Sequence, residues 1–214
     1  MDTPRRYKLL SIFYASYAVS VIVMNLLATK QVDLGPFTVT TGIIVSPIAF
    51  IIQDVITEIY GYNQASRMIW TGFILIFVST ILYQVAIIIP PSSFWEGQGA
   101  FEAILSTTPR ISIASLTAYL LGSHVNTYIM NQLGKRNPDQ LFNRVITSTI
   151  FGQLLDNFIF AFIAFTGLLP FPALLSMGIG GTIIEVVYEI IFYPITRWAI
   201  KKTKFYLKED PYAV

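Results

Sequence analysis

Six ionisable side chains fall inside stretches that are otherwise apolar: Asp54, Glu58, His124, Asp156, Glu185 and Glu189. Asn25, Gln84, Asn126, Gln153 and Asn157 add neutral hydrogen-bonding groups in similar surroundings. Asp54 and Glu58 are spaced i,i+4, as are Glu185 and Glu189, so each pair shares one helical face. Two carboxylates held that close away from water do not both ionise cheaply. Either one is protonated or a cation lies between them. Carboxylates with few buried bases beside them suit a cationic substrate, a proton, a sodium ion or a solute rich in N–H donors. His124 has no second His or carboxylate at metal-ligand spacing on its helix and reads as a hydrogen-bonded structural residue. Neither a metal nor a cofactor is expected.

The elements that must position these groups are apolar spans. The chain has 214 residues, 54% hydrophobic and only 12% charged, with a mean hydropathy of +0.63. Soluble domains carry about 25% charged residues. The composition therefore excludes a disordered chain, a nucleic-acid-binding module and an ordinary cytosolic enzyme. Cysteine is absent, which removes disulfides and thiolate chemistry. Crossing a bilayer takes about 20 apolar residues, and six stretches meet that length: 7–28, 37–60, 68–89, 109–132, 145–168 and 172–200. Pro90 and Pro91 end the third, and Pro170 and Pro172 separate the last two. Residues 92–108 form the one long connection, and Trp95 among them suits the membrane interface.

Of the 14 Lys and Arg residues, all but Lys30 and Arg110 fall on one side of this scheme, with the chain ends. The positive-inside rule makes that side cytoplasmic. The predicted architecture is all-α: one polytopic domain over residues 1–214, six transmembrane helices, both termini cytoplasmic, in the inner (cytoplasmic) membrane.

Buried ionisable groups in such a protein mark ligand or ion pathways. Asp156 and Glu189 fall near mid-depth. Asp54 and Glu58 fall toward the inner end of the second span, where a purely structural role would have them reach water or pair with Arg67. Arg110 sits at the outer mouth of the fourth span. Tyr188 and Phe192 share the carboxylate-bearing side of the sixth as candidate stacking groups. Gly178, Gly180 and Gly181 permit close helix approach. There is no phosphate loop, paired-aspartate diphosphate motif, nucleophile elbow or histidine cluster, so a small-solute transporter fits better than an intramembrane enzyme. A short echo between Phe50-Ile-Ile-Gln53-Asp54 and Phe151-Gly-Gln153-Leu-Leu-Asp156 agrees with a three-plus-three inverted repeat.

The segment Phe50-Ile-Ile-Gln-Asp54-Val-Ile-Thr57-Glu58-Ile-Tyr60-Gly61, followed by Arg67, resembles the signature of the queuosine precursor transporter family, also called the vitamin uptake transporter group. Asn25-Leu-Leu-Ala-Thr-Lys30, Arg110-Ile-x-Ile-Ala-Ser115-x-x-Ala118-Tyr119 and Ser148-Thr-x-Phe151-Gly152-x-x-x-Asp156 resemble three further family motifs in the same order. The resemblance implies import of 7-deazaguanines: the cyano or aminomethyl precursor of queuosine, or queuine. A guanine-like edge offers an N1–H and an exocyclic amine, two donors suited to one carboxylate. The expected substrate site is Asn25, Arg110, Gln153, Asp156, Asn157, Glu185, Tyr188 and Glu189, with Asp54, Glu58 and Arg67 as an inner gate or coupling site. The expected partners are a purine-like small molecule and the lipid bilayer, with no nucleic acid. A homo-oligomer, or energising subunits if the chain captures substrate for an ATP-driven vitamin importer, would add protein partners.

Overall fold

The computed structural model describes residues 4–34, 37–106 and 109–208. Helix α1 spans Pro4–Leu27, α2 Ser46–Tyr60, α3 Tyr62–Ile88, α4 Gln98–Leu105, α5 Pro109–Arg136, α6 Leu141–Phe165 and α7 Phe171–Lys208. Between α1 and α2 lies an antiparallel hairpin, β1 (Gln31–Leu34) on β2 (Phe37–Thr40), with Gln31 opposite Thr40 and Leu34 opposite Phe37. A 3-10 turn, Thr41–Ile44, leads from it into α2.

The chain is helical apart from this hairpin, which corrects one expectation: the second helix begins at Ser46 rather than near residue 37. The reason is local. Thr38, Val39, Thr40 and Thr41 form a run rich in β-branched residues, which favours extended backbone. Pro47 sits in the first turn of α2, where its missing N–H costs nothing. The long connection holds the short α4, tied to the end of α3 by Gln98 Nε2 donating to the Ile87 carbonyl at 3.1 Å.

Helices α1, α3, α6 and α7 are long and apolar enough to cross a membrane. Helix α5 has 28 residues but a more polar composition. Helix α2 has 15 residues and spans about 22 Å at 1.5 Å per residue, short of a bilayer core of about 30 Å. A single residue, Gly61, joins α2 to α3 at φ 79° and ψ 175°, a backbone region open essentially to glycine alone.

The burial pattern suits a chain dissolved in lipid. Large apolar side chains on α3, among them Trp70, Phe77, Leu82 and Ile88, are exposed, as are Ile183, Val187, Ile191 and Trp198 on α7. The interior instead holds Gln53, Asp54, Asn126, Arg144, Gln153 and Glu189. An apolar core of Tyr17, Ile52, Ile56, Met68 and Ile69 binds α1, α2 and α3 together. Helix α6 packs between α5 and α7, and α7 packs against α2, which α1 also contacts, so the first and last helices join one bundle.

Candidate functional site

The site begins at a close crossing of α5 and α6. A Cβ on Gly152 would lie 2.6 Å from Asn126 Cβ, and one on Gly122 would lie 2.7 Å from Asp156 Cβ and 2.9 Å from the Gly152 carbonyl. Only hydrogen fits at either position, and the backbones meet there. On the other flank, Gly178 lies under the Phe158 ring and Gly181 faces the Asn157 amide, so α7 approaches α6 by the same means.

These crossings bound a cavity of about 540 Å³. Asn25 on α1, Gln153, Asp156 and Asn157 on α6, and Glu185 on α7 line it, joined by Tyr17, Phe50, Gln53, Tyr119, Asn126 and Phe160. It lies toward the hairpin end, since Met24 and Ala28 at the end of α1 and Thr40, Gly42 and Ser46 beyond β1 border it.

Hydrogen bonds hold the polar walls. Asn157 Nδ2 donates to Glu185 Oε2 at 2.7 Å and to the Gln153 carbonyl at 2.9 Å. Gln53 Nε2 donates to Thr127 Oγ1 and to the Ser123 carbonyl, both at 3.2 Å, and to Asn126 Oδ1 at 3.3 Å. The Tyr17 hydroxyl donates to Gln53 Oε1 at 3.2 Å and lies 3.0 Å from the Tyr119 hydroxyl. The Tyr119 hydroxyl also donates to the Ile69 carbonyl at 3.1 Å. Asp156 and Glu185 lie half-buried at the cavity and within electrostatic reach of each other. Two carboxylates, several amides and apolar or aromatic walls make a site for a flat solute with several N–H donors.

The remaining expected site residues lie elsewhere. Arg110 does not line the cavity: its Nε and Nη2 donate to the Ile163 and Thr166 carbonyls at 2.6 and 2.5 Å, closing the C-terminal end of α6. Tyr188 stacks on Phe192 outside the cavity, with ring centroids 5.7 Å apart. Glu189 is buried near Asp54 and, like it, does not line the cavity. Glu58 pairs not with Arg67, which is exposed, but with Arg144 Nη1 and Lys204 Nζ, each at 2.7 Å. His124 lies 3.0 Å from Ser66 Oγ and 2.7 Å from the Leu120 carbonyl, the hydrogen-bonded setting expected of it.

Sequence reasoning missed Arg144, counted only as an inner basic residue, and the Tyr17–Gln53–Tyr119 network. For Tyr17 the available signal was the i,i+4 pair of small polar residues, Ser16 and Ser20, beside it on an apolar helix.

Residues 40–199 match the family described as "Putative vitamin uptake transporter". The chain is 31% identical over 180 residues to a protein of Bacillus subtilis (strain 168) named "Probable queuosine precursor transporter", covering 83% of this chain and 78% of that one. It is 29% identical over 161 residues to the "Queuosine precursor transporter" of Escherichia coli (strain K12), covering 75% of this chain and 71% of that one. A "Probable queuosine precursor transporter" of Haemophilus influenzae (strain ATCC 51907 / DSM 11121 / KW20 / Rd) is 28% identical over 147 residues, covering 67% and 59%. No solved structure matches the chain. The matched region contains α2, α5 and α6 whole, the helices that carry the three motif segments beyond α1 and most of the cavity wall, and the chain belongs to the vitamin uptake transporter family.

Proposed function

We propose that this protein imports queuosine precursors, 7-deazaguanines such as the cyano or aminomethyl precursor or queuine, across the inner membrane. The observation that carries the reading is the cavity in which Asp156 and Glu185 face the same space as Gln153, Asn157 and Asn25. Its volume of about 540 Å³ accommodates a bicyclic base with room for a side arm. One carboxylate accepts the paired N1–H and exocyclic amine donors, and the Gln153 amide donates to the O6 acceptor. Phe50 or Phe160 covers the flat face. The second carboxylate receives the cationic amine of the aminomethyl precursor or queuine. The role is binding and passage, with no bond made or broken.

In this reading residues 1–214 form one domain that crosses the membrane six times, with both termini cytoplasmic and a three-plus-three inverted relation between its halves. The short α2 completes its crossing with the 3-10 turn and hairpin before it. The cavity then faces the outer side, and the Glu58–Arg144–Lys204 pairs close the inner side. Irregular backbone at membrane depth is tolerated where it borders a cavity, which is where the 3-10 turn lies.

The test is uptake in a strain that can neither make nor import the precursors. Wild-type protein restores queuosine in tRNA when precursor is supplied. Asp156→Asn and Glu185→Gln, inserted at wild-type levels, restore at most about a tenth as much, the loss of one charged hydrogen bond. Full restoration by both variants would overturn the assignment.

A further inference from the structure

A second cluster of ionisable groups lies outside the cavity lining, and its charges do not balance. Glu58 uses both carboxylate oxygens on cations, Oε2 on Arg144 and Oε1 on Lys204. Asp54 lies one turn earlier on the same helix, and Glu189 lies on α7, which packs against α2. Asp54 is 2% exposed and Glu189 3% exposed. Asp54 Oδ2 and Glu189 Oε1 are buried without a hydrogen-bond partner. Asp54 lies within electrostatic reach of Glu189, Glu58 and Arg144.

Three carboxylates against two cations leave one negative charge over, and Asp54 and Glu189 are the two carboxylates shut off from water. An uncompensated buried charge costs several kcal/mol even after relaxation, so the site takes up one positive charge. Among the described residues no group of three His, Cys, Asp or Glu side chains is arranged to hold a metal ion. Asp54 Oδ2 and Glu189 Oε1, buried and unpartnered, are the oxygens there that can carry a proton.

The other elements packed around the pair offer it no competing charge. Tyr17 of α1 and Asn126 and Thr127 of α5 are engaged by Gln53. His124 of α5 turns to Ser66 of α3 and to the Leu120 carbonyl. Arg67 of α3 is exposed, and Glu185 of α7 is held by Asn157 at the cavity.

We propose that Asp54 and Glu189 form a proton site, separate from the substrate cavity, that couples proton entry to the inner ion-pair gate. The link is Arg144. Its Nη1 holds Glu58, its Nη2 donates to the Pro138 carbonyl at 3.1 Å, and its buried Nε has no partner. When the proton leaves, Asp54 gains a charge that competes with Glu58 for Arg144, and a guanidinium drawn round to offer its free Nε to Asp54 carries Nη1 off Glu58. Glu58 then keeps only Lys204, whose side chain is 50% exposed, and the gate loosens toward the inner side. A proton arriving from outside restores the Arg144–Glu58 pair. The proton passes from outer to inner water and nothing is oxidised or reduced.

This coupling rests on the chain being a transporter, and its test separates the two claims. The full-length protein is reconstituted in liposomes and supplied with 7-aminomethyl-7-deazaguanine. One proton per substrate with the lumen more alkaline by about one pH unit supports accumulation of about tenfold. Asp54→Asn and Glu189→Gln should abolish that accumulation yet retain binding and one-for-one exchange at equal concentrations on the two sides. Variants that still accumulate substrate, variants that lose exchange as well, or a wild-type protein driven by a sodium gradient or by no gradient would each overturn the proposal.

A second readout needs no substrate. Infrared spectra of wild-type protein at neutral pH should carry the carbonyl band of a protonated carboxyl that Asp54→Asn and Glu189→Gln remove. A band unchanged in both variants overturns the proton site whatever the substrate is. Absence of binding to any 7-deazaguanine, with the band present and lost as expected, would instead overturn the substrate reading alone.

Discussion

Adding one methyl group at Gly152 tests whether the helix crossing builds the site. The Cβ of Gly152→Ala would stand 2.6 Å from Asn126 Cβ, 3.0 Å from the Gly122 carbonyl and 3.2 Å from Asn126 Cα. Carbon atoms pack best at about 3.5–4.0 Å. Two of these three neighbours are backbone atoms, so no side-chain rotation relieves the clash, and α5 and α6 must part by about 1 Å. Overpacking of that kind costs about 1–3 kcal/mol. The same displacement separates Asn126 on α5 from Gln153 and Asp156 on α6, lengthening by about 1 Å any ligand hydrogen bonds that span the two helices. A hydrogen bond to a charged group contributes about 1.5–3 kcal/mol, so precursor uptake should fall by about tenfold to a hundredfold. The assay is initial uptake rate in cells, with insertion level and detergent melting temperature measured in parallel. Gly99→Ala in α4, where an added Cβ meets nothing within 4 Å, is the control and should leave both unchanged. A Gly152→Ala protein that melts and transports like wild type would refute the claim that this contact sets the cavity.

Removing Arg144 should cost far more than removing its partner in the same network. Arg144→Met leaves Glu58 and Asp54 short of a buried counter-charge and should lower stability by about 3 kcal/mol or more, whereas Lys204→Met removes an exposed arm and should cost less than about 1 kcal/mol. Thermal melting in detergent compares the two, and equal losses would contradict the ion-pair geometry. Arg110→Gln should release the Ile163 and Thr166 carbonyls and cost about 1 kcal/mol of stability. Its KM for uptake should stay at the wild-type value, and a raised KM would return Arg110 to the substrate path.

Much of the site was legible because charge is scarce in this chain. Asp156, Gln153, Asn157 and Glu185 stand out as polar groups in apolar runs, and a bilayer leaves such groups few places except a shared interior. The direction in which a side chain points was not legible. Glu185 and Glu189 share the i,i+4 spacing, yet Glu185 reaches the cavity and Glu189 the cluster outside it, a division set by how α7 crosses α6 and α2. Arg144 looks in the sequence like any cytoplasmic basic residue. Its burial depends on Glu58 lying 86 residues earlier and on Gly134, where a Cβ would come within 2.7 Å of its guanidinium. The hairpin was hidden for another reason: apolar content marked residues 37–60 as one span, and the β-branched run at its start, which favours a strand, carried no weight in that count.

The most direct measurement is equilibrium binding of 7-aminomethyl-7-deazaguanine to the purified full-length protein, wild type beside Asp156→Asn. The variant keeps the shape of the side chain and removes its charge. Saturable binding to wild type, weakened about tenfold to a hundredfold by the substitution, is the predicted result. Binding of equal strength to both proteins, or to neither, would contradict the assignment of the Asp156 cavity as the substrate site.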